Sequence, residues 1–244
     1  MSPAALLLLV ACHRSEGEPK DSATGGPGET AETGGDTADS TPRAALQFRF
    51  PVVEADLIEG TPVIGVDHDP EIYGDRSAVC KSYAGTGFPW CYDEHEGSDF
   101  LLVGGFDTMD AGSAQIVAAA DGVVVAAEDG HYDRCHIEDG AVTCDGNPIV
   151  ANYVILEHET GDHTLYWHMK EGSVAVAVGD SVSAGDLLGY IGSSGNSSMP
   201  HLHFGLEDPD GNVMDPFAGP YSQDETWWCQ QGEQGELPGL CSED

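Results

Sequence analysis

The sequence is poor in positive charge. Lysine and arginine number 8 among 244 residues, against 43 aspartates and glutamates, which gives a formal net charge of −35. No lysine or arginine follows Lys170. Because binding to nucleic acid requires clustered positive charge, a nucleic-acid partner is excluded. This chain would also be repelled by an anionic polymer, so electrostatic attraction does not bring the protein to an anionic surface.

The sequence lacks an apolar run long enough to cross a bilayer as a helix. The apolar stretch at residues 4–11, AALLLLVA, has the length of a secretion-signal core and ends at Cys12. Residues 9–12, LVAC, resemble a bacterial lipobox, which predicts a signal peptide over 1–12 and acylation of Cys12. A plain signal peptide with an incidental cysteine is the alternative, because the run is short and no lysine or arginine precedes it. We therefore expect an exported protein of the cell envelope, anchored by lipid to a membrane, in the periplasm or at the outer membrane of a diderm cell.

Residues 13–45 have almost no bulky apolar side chains to bury and are rich in Gly, Thr, Ser, Pro and acidic residues. This composition predicts a disordered acidic linker, which would tether a folded domain over residues 46–244.

The sequence has no C-x-x-C pair, which disfavours a thiolate zinc site. Six cysteines remain when Cys12 is set aside, and an even number in an exported chain favours disulfides. Sequence alone cannot choose among the possible pairings, but short spacing suggests Cys80 with Cys91, Cys135 with Cys144, and Cys229 with Cys241. Asp139 and Gly140, between the second pair, are typical of a hairpin turn.

Long helical patterns are also missing. From Leu46 onward, apolar residues come in short runs of period two separated by Gly, Asp and Asn, which predicts an all-β domain with an antiparallel β-sheet sandwich or groove. Residues 67–94 read as a long loop or an insertion. Trp227 and Trp228 are expected to cap the core.

The first cluster with possible metal chemistry is His95-Glu96-Gly97-Ser98-Asp99. On a straight strand its first and last residues would lie about 13 Å apart, too far for a shared ion. A bend at Gly97 could bring the imidazole and the carboxylate together.

Two further clusters have histidines at alternating positions. In His201-Leu202-His203, alternation puts both rings on one face of a strand and Leu202 in the core. In Tyr166-Trp167-His168, it puts Tyr166 and His168 on a common face. The remaining histidines read as ordinary surface or core residues: His13, His68, His131, His136, His158 and His163.

Together these motifs resemble the lysostaphin-type, or LytM-type, zinc endopeptidases of peptidoglycan, which have the duplicated hybrid motif fold. The resemblance runs from Phe48 to Pro216 and rests on HEGSD at 95–99, AAADGVVVAAEDG at 118–130, YWHM at 166–169, VAVGDSVSAGDLLGYIGSSGNSS at 176–198, PHLHFGL at 200–206 and GNVMDP at 211–216. It implies that His95, Asp99 and His203 bind the metal. It also implies that His168 and His201 are catalytic residues that do not bind the metal.

Two imidazoles and one carboxylate suit zinc and leave its fourth position to water. Zinc lowers the pKa of that water and polarises the scissile carbonyl, while the unligated histidines can accept the proton and stabilise the oxyanion. The resemblance thus implies a monomeric zinc metalloendopeptidase that hydrolyses peptide cross-links or stem peptides of bacterial peptidoglycan. Which of the two histidines has which role, and which bond is cut, stays open.

Two alternative functions and two structural expectations accompany this interpretation. DGVV and the segment 176–192 also resemble biotinyl or lipoyl carriers, but a carrier needs an exposed lysine and has no use for these histidines. A catalytically silent relative that binds the wall or activates another hydrolase is the other alternative. The cysteine-bearing loops at 80–91 and 135–144 are expected to be insertions over the groove, and residues 196–198 form either a groove wall or a simple turn.

Overall fold

The computed structural model describes residues 46–60, 62–74 and 77–241. The predicted signal peptide, Cys12 and the predicted linker lie outside the described residues. Within these ranges, each helix is too short or too polar to span a bilayer.

The described chain is almost entirely β-structure, because its apolar residues alternate in short runs. It has one short helix, α1 (Phe106–Ala111), and one 3₁₀ turn (Ala55–Leu57). The strands are β1 (Ser98–Leu101), β2 (Gln115–Val117), β3 (Gly122–Glu128), β4 (His136–Glu138), β5 (Ala141–Thr143), β6 (Tyr153–Glu157), β7 (His163–Trp167), β8 (Ser181–Val182), β9 (Leu187–Tyr190), β10 (His201–Glu207) and β11 (Val213–Met214). The prediction of an antiparallel all-β domain is confirmed.

The main sheet has seven strands in the order β1-β10-β7-β6-β3-β8, with β11 also paired to β10. All of its pairings are antiparallel. Two smaller sheets pair β2 with β9 and β4 with β5. The strand with both HLH histidines, β10, is therefore flanked by β1 on one side and β7 on the other.

The core lies against one face of the main sheet. Leu202 and Phe204 of β10 are fully buried there, as alternation predicted, and Tyr166 of β7 packs edge-on against Phe204. Trp228 is also fully buried in this core, and Trp227 stacks on Phe48 at 5.7 Å between ring centroids. The interpretation of the two tryptophans as core residues is confirmed.

The six cysteines of the described chain form the three short loops that their spacing suggested: Cys80–Cys91, Cys135–Cys144 and Cys229–Cys241. In the second loop, β4 and β5 form a hairpin whose turn residues Asp139 and Gly140 both have positive φ, 52° and 83°. This is the backbone of a tight hairpin turn, as the Asp-Gly pair predicts. No strand or helix occurs among the described residues between 67 and 94, in agreement with the predicted long loop.

The prediction that Tyr166 and His168 share a face is wrong. Tyr166 points into the core, where its hydroxyl accepts a hydrogen bond from the Ala119 amide at 2.8 Å. Strand β7 ends at Trp167, and His168 has a left-handed backbone with φ of 64°. Because this residue leaves the alternation of the strand, its ring turns to the opposite side and lies next to His201, 4.6 Å between centroids.

Candidate metal centre and catalytic histidines

Three of the predicted site residues meet at one point. Asp99 of β1 is paired in register with His203 of β10, and Asp99 Oδ1 lies 2.9 Å from His203 Nδ1. His95 precedes β1, and its Nε2 lies 3.2 Å from both Asp99 Oδ1 and His203 Nδ1. All three residues are buried. The bend predicted between His95 and Asp99 is present.

Gly97 allows this bend for a reason that the sequence did not reveal. A Cβ at this position would lie 2.5 Å from His203 Nε2 and 2.8 Å from the Phe204 carbonyl oxygen. Any side chain would therefore displace the His203 ring or the neighbouring strand. The glycine supplies space for the cluster and not only conformational freedom.

The donor set fits a zinc ion. His95 Nδ1 donates a hydrogen bond to the Gly65 carbonyl at 2.8 Å, so a neutral ring presents the lone pair of Nε2 to Asp99 and His203. Asp99 Oδ2 is buried and, among the described residues, has no hydrogen-bond partner. Ligand atoms of a tetrahedral zinc ion lie about 3.3 Å apart for bonds of about 2.0 Å, close to the separations found here. A cation at this point could bind all three atoms, in place of the hydrogen bond between His203 Nδ1 and Asp99 Oδ1.

The charges of the cluster are strongly coupled. Burial on its own raises the pKa of Asp99, but His95 and His201 nearby and a hydrogen bond from His203 lower it well below its ordinary value. Burial alone would lower the pKa of His95, whereas the Asp99 carboxylate raises it. Burial lowers the pKa of His203. Asp99 is therefore ionised, and its negative charge attracts the neighbouring histidine rings.

The two other predicted histidines lie beside this cluster. His201 Nδ1 donates to the Met199 carbonyl at 2.7 Å, and His201 Nε2 lies 3.5 Å from Asp99 Oδ1. His168 Nδ1 donates to the Ser194 carbonyl at 2.6 Å. Since each Nδ1 carries the proton, each neutral ring presents its lone pair at Nε2. Burial, together with the nearby His201 and His203, keeps the pKa of His168 well below its ordinary value.

Both carbonyl acceptors belong to residues 193–199, which we call the serine segment. Ser193 Oγ donates to the Cys135 carbonyl at 2.7 Å, and the Cys135 amide donates to the Ser193 carbonyl at 2.9 Å. Ser197 Oγ lies 2.8 Å from Ser193 Oγ and 3.3 Å from His201 Nδ1. The hairpin closed by Cys135 and Cys144 is thus bonded to the segment that orients both histidines. Neither interpretation of residues 196–198, groove wall or simple turn, included this contact of Ser197 with His201.

An aromatic pair, Trp167 and Tyr153, lies beside His203 on strands β7 and β6. Trp167 is paired in register with His203, so both side chains lie on the same face. Tyr153 of β6 stacks on Trp167 with centroids 4.6 Å apart and planes inclined by 20°. Both rings are half-buried. Sequence reasoning missed this pair, although alternation from His203 through the register of β7 could have found Trp167.

The remaining histidines of the described chain serve other contacts. His158 bonds to the Asp121 carbonyl and to Thr164, and His68 lies 2.9 Å from Asp215. His131, His136 and His163 contact Glu128, the Arg134 carbonyl and Glu157. Their ordinary interpretation agrees with the structure, while His13 lies outside the described residues.

The structure disfavours the biotinyl or lipoyl carrier alternative, because Lys170 is not on an exposed hairpin turn. Lys170 Nζ donates a hydrogen bond to the Met109 carbonyl at 2.8 Å and is partly buried. A modifiable lysine would have to project from an exposed hairpin turn.

Part of the chain is similar to known peptidases. Residues 102–216 match the family model described as peptidase family M23. The peptidoglycan DD-endopeptidase ShyA of Vibrio cholerae is 36% identical over 69 residues, which are 28% of this chain and 16% of the relative. Lysostaphin of Staphylococcus simulans is 43% identical over 53 residues, which are 22% of this chain and 10% of the relative. The matches thus span about a sixth or less of these relatives' own lengths.

Among solved structures, one described as the SpoIIQ-SpoIIIAH pore forming complex has a TM-score of 0.46 at 22% identity, covering 71% of this chain and 90% of that one. The predicted resemblance to lysostaphin-type peptidases is confirmed by the family match.

Proposed function

We propose that this protein is a zinc metalloendopeptidase that hydrolyses peptide cross-links or stem peptides of bacterial peptidoglycan, since residues 102–216 match the model of peptidase family M23. The observation that carries the proposal is the convergence of His95 Nε2, Asp99 Oδ1 and His203 Nδ1, which lie 2.9–3.2 Å from one another in a buried cluster. A buried carboxylate with two imidazole nitrogens at this distance is a ligand set that suits zinc.

His95, Asp99 and His203 would hold the metal, which when bound acidifies a water molecule and polarises the scissile carbonyl. The Gly65 carbonyl fixes the His95 ring so that Nε2 points to the cluster. The ionised Asp99 offsets the positive charge in a site from which protein atoms exclude bulk water.

His168 and His201 would handle the protons. Each ring is fixed by a backbone carbonyl at Nδ1, so that Nε2 can take a proton from water or, once protonated, donate a hydrogen bond to the oxygen that becomes negative as the peptide carbonyl is attacked. Placing the two rings 4.6 Å apart lets one act on water while the other acts on the carbonyl oxygen.

The substrate class follows from the relatives. One is named a peptidoglycan DD-endopeptidase, and another is lysostaphin. This chain retains all five histidine and aspartate positions that the family resemblance assigns to chemistry, which supports turnover over the silent alternative.

The test is a muropeptide release assay on the purified chain, combined with measurement of bound zinc. We expect about one zinc per chain and release of peptides from cross-linked peptidoglycan, and we expect His168→Ala to keep the zinc and lose the release. Absence of zinc and of release from the wild-type protein would defeat the enzyme proposal. Zinc without release would instead support the activator alternative.

We also propose that the protein is exported and acts as a monomer held at the cell envelope by a lipid on Cys12. The three disulfides suit an oxidising compartment outside the cytoplasm. Cys12→Ser should leave the exported protein in the soluble fraction, and unchanged membrane retention would contradict the anchor.

A further inference from the structure

The backbone at His168 is in a conformation that a histidine rarely adopts unaided. Its φ of 64° lies in the left-handed region, and the residue is buried. Strand β7 has ended one residue earlier, and a single backbone hydrogen bond, from the Gly192 amide to the His168 carbonyl at 3.0 Å, continues the pairing at this residue. Other contacts must fix this conformation if the ring is to keep one orientation.

The side chain of Asn152 supplies one set of these contacts. It is fully buried. Its Nδ2 donates to the Met169 carbonyl at 3.1 Å and to the His131 carbonyl at 2.8 Å, and its Oδ1 accepts from the His131 amide at 2.8 Å. All of these partners are backbone groups, and one belongs to the residue that directly follows His168.

The backbone of Asn152 supplies a second set. Its carbonyl accepts from the Met169 amide at 3.0 Å, and its amide donates to Ser194 Oγ at 2.9 Å. Ser194 Oγ in turn donates to the Met169 carbonyl at 2.9 Å. The carbonyl of the same Ser194 accepts the Nδ1 proton of His168 at 2.6 Å.

Asn152 therefore contacts both segments that fix the His168 ring: the backbone that carries the ring and the residue whose carbonyl orients it. We propose that Asn152 is a positioning residue that sets the orientation and tautomer of His168 through Met169 and Ser194. This inference rests on the proposed function for its catalytic meaning. The hydrogen bonds that carry it do not depend on that function.

A purely structural asparagine would stabilise the fold as a whole. A positioning residue affects one ring and one step of the reaction. The two roles are separated by measurements on individual histidines and by the division of the effect between kcat and KM.

The experiment compares Asn152→Ala with the wild-type full chain, with the exposed Asn147→Ala as the matched control. Imidazole N–H signals in ¹H–¹⁵N spectra report the three rings of the proposed site whose Nδ1 donates to a carbonyl: His95 to Gly65, His168 to Ser194 and His201 to Met199. Substitution of each histidine assigns its signal. Zinc content and steady-state hydrolysis of a cross-linked muropeptide are measured on the same samples.

We expect Asn152→Ala to lose or strongly shift the His168 signal only, to keep its zinc, and to lower kcat by at least about tenfold with KM changed less than about twofold. Asn147→Ala should match the wild type in every measurement. An unchanged His168 signal would overturn the proposal, and so would joint loss of all three signals, which indicates a general structural role.

If Asn152→Ala does not fold, Ser194→Ala decides the question. It keeps the carbonyl that accepts from His168 but removes the Oγ link to Asn152 and Met169. The same selective loss at His168 is expected, at smaller size, and its absence overturns the proposal. Wild-type protein without turnover would defeat the proposed function, while the spectral comparison would still test Asn152.

Discussion

Asp99 and His203 face each other directly across two neighbouring antiparallel strands, and the carboxylate and ring atoms that meet lie 2.9 Å apart. The sheet register therefore places two of the three metal-binding atoms of the proposed site. Only His95, which precedes β1, depends on a loop to reach the cluster.

Substitution of Asp99 should abolish metal binding. Asp99→Ala removes the only carboxylate of the cluster and leaves two neutral imidazoles, too few ligands for a stable zinc site. We expect zinc content near zero by elemental analysis and no muropeptide release. His163→Ala, on the same main sheet but in contact with Glu157, is the control and should retain both. Full zinc content in Asp99→Ala would refute the assigned ligand set.

The close approach at Gly97 predicts a second effect. Gly97→Ala would place a methyl group 2.5 Å from His203 Nε2, so either the ring or strand β10 must move. We expect a fall of about 1–3 kcal/mol in the free energy of unfolding and weaker zinc binding. Denaturant unfolding and zinc titration measure the two effects.

Gly60→Ala is the matched control for this variant, because a Cβ there meets no heavy atom within 4 Å. If Gly97→Ala binds zinc as tightly as Gly60→Ala does, the crowding argument is wrong.

Much of the site could be predicted because spacing in the sequence becomes proximity in a sheet. Alternation placed His201 and His203 on the face opposite Leu202, and the structure agrees. The same rule failed at His168, because alternation holds only while the strand continues and the chain turns into the left-handed region there. Asn152 could not be found from spacing, since its role comes from contacts among three segments distant in sequence.

Trp167 should contribute to substrate binding. It is half-buried, lies on the same face as His203 and is stacked by Tyr153, so it offers a rigid apolar surface next to the proposed metal. We expect Trp167→Ala to raise KM roughly 3–10-fold with a smaller change in kcat. Tyr73→Ala, which removes a ring exposed on the 67–94 loop, serves as control. An unchanged KM in steady-state assays would exclude this role.

His158 predicts a pH dependence of stability. Burial lowers its pKa from the ordinary value of 6.5. Below pH 6.5 the unfolded chain takes up a proton that the folded chain resists, so the free energy of unfolding should fall as the pH drops from 6.5 towards the folded pKa. Above 6.5 this residue adds no dependence.

The measurement is denaturant unfolding between pH 7.5 and 5 on metal-free protein, so that release of an ion does not contribute. His158→Gln should show a shallower fall over this range than the wild type does. Parallel curves for the two proteins would show that another group causes the dependence.

The serine segment has a consequence for control of the proposed enzyme. The carbonyls of Ser194 and Met199, five residues apart, orient the rings of His168 and His201. The hairpin closed by Cys135 and Cys144 is hydrogen-bonded to the same segment through Ser193. Because both rings are oriented by the same segment, a compound that displaces this segment from the sheet would misorient His168 and His201 together and abolish the activity. An inhibitor that acts on this segment would therefore not have to reach the proposed metal site or compete with peptidoglycan.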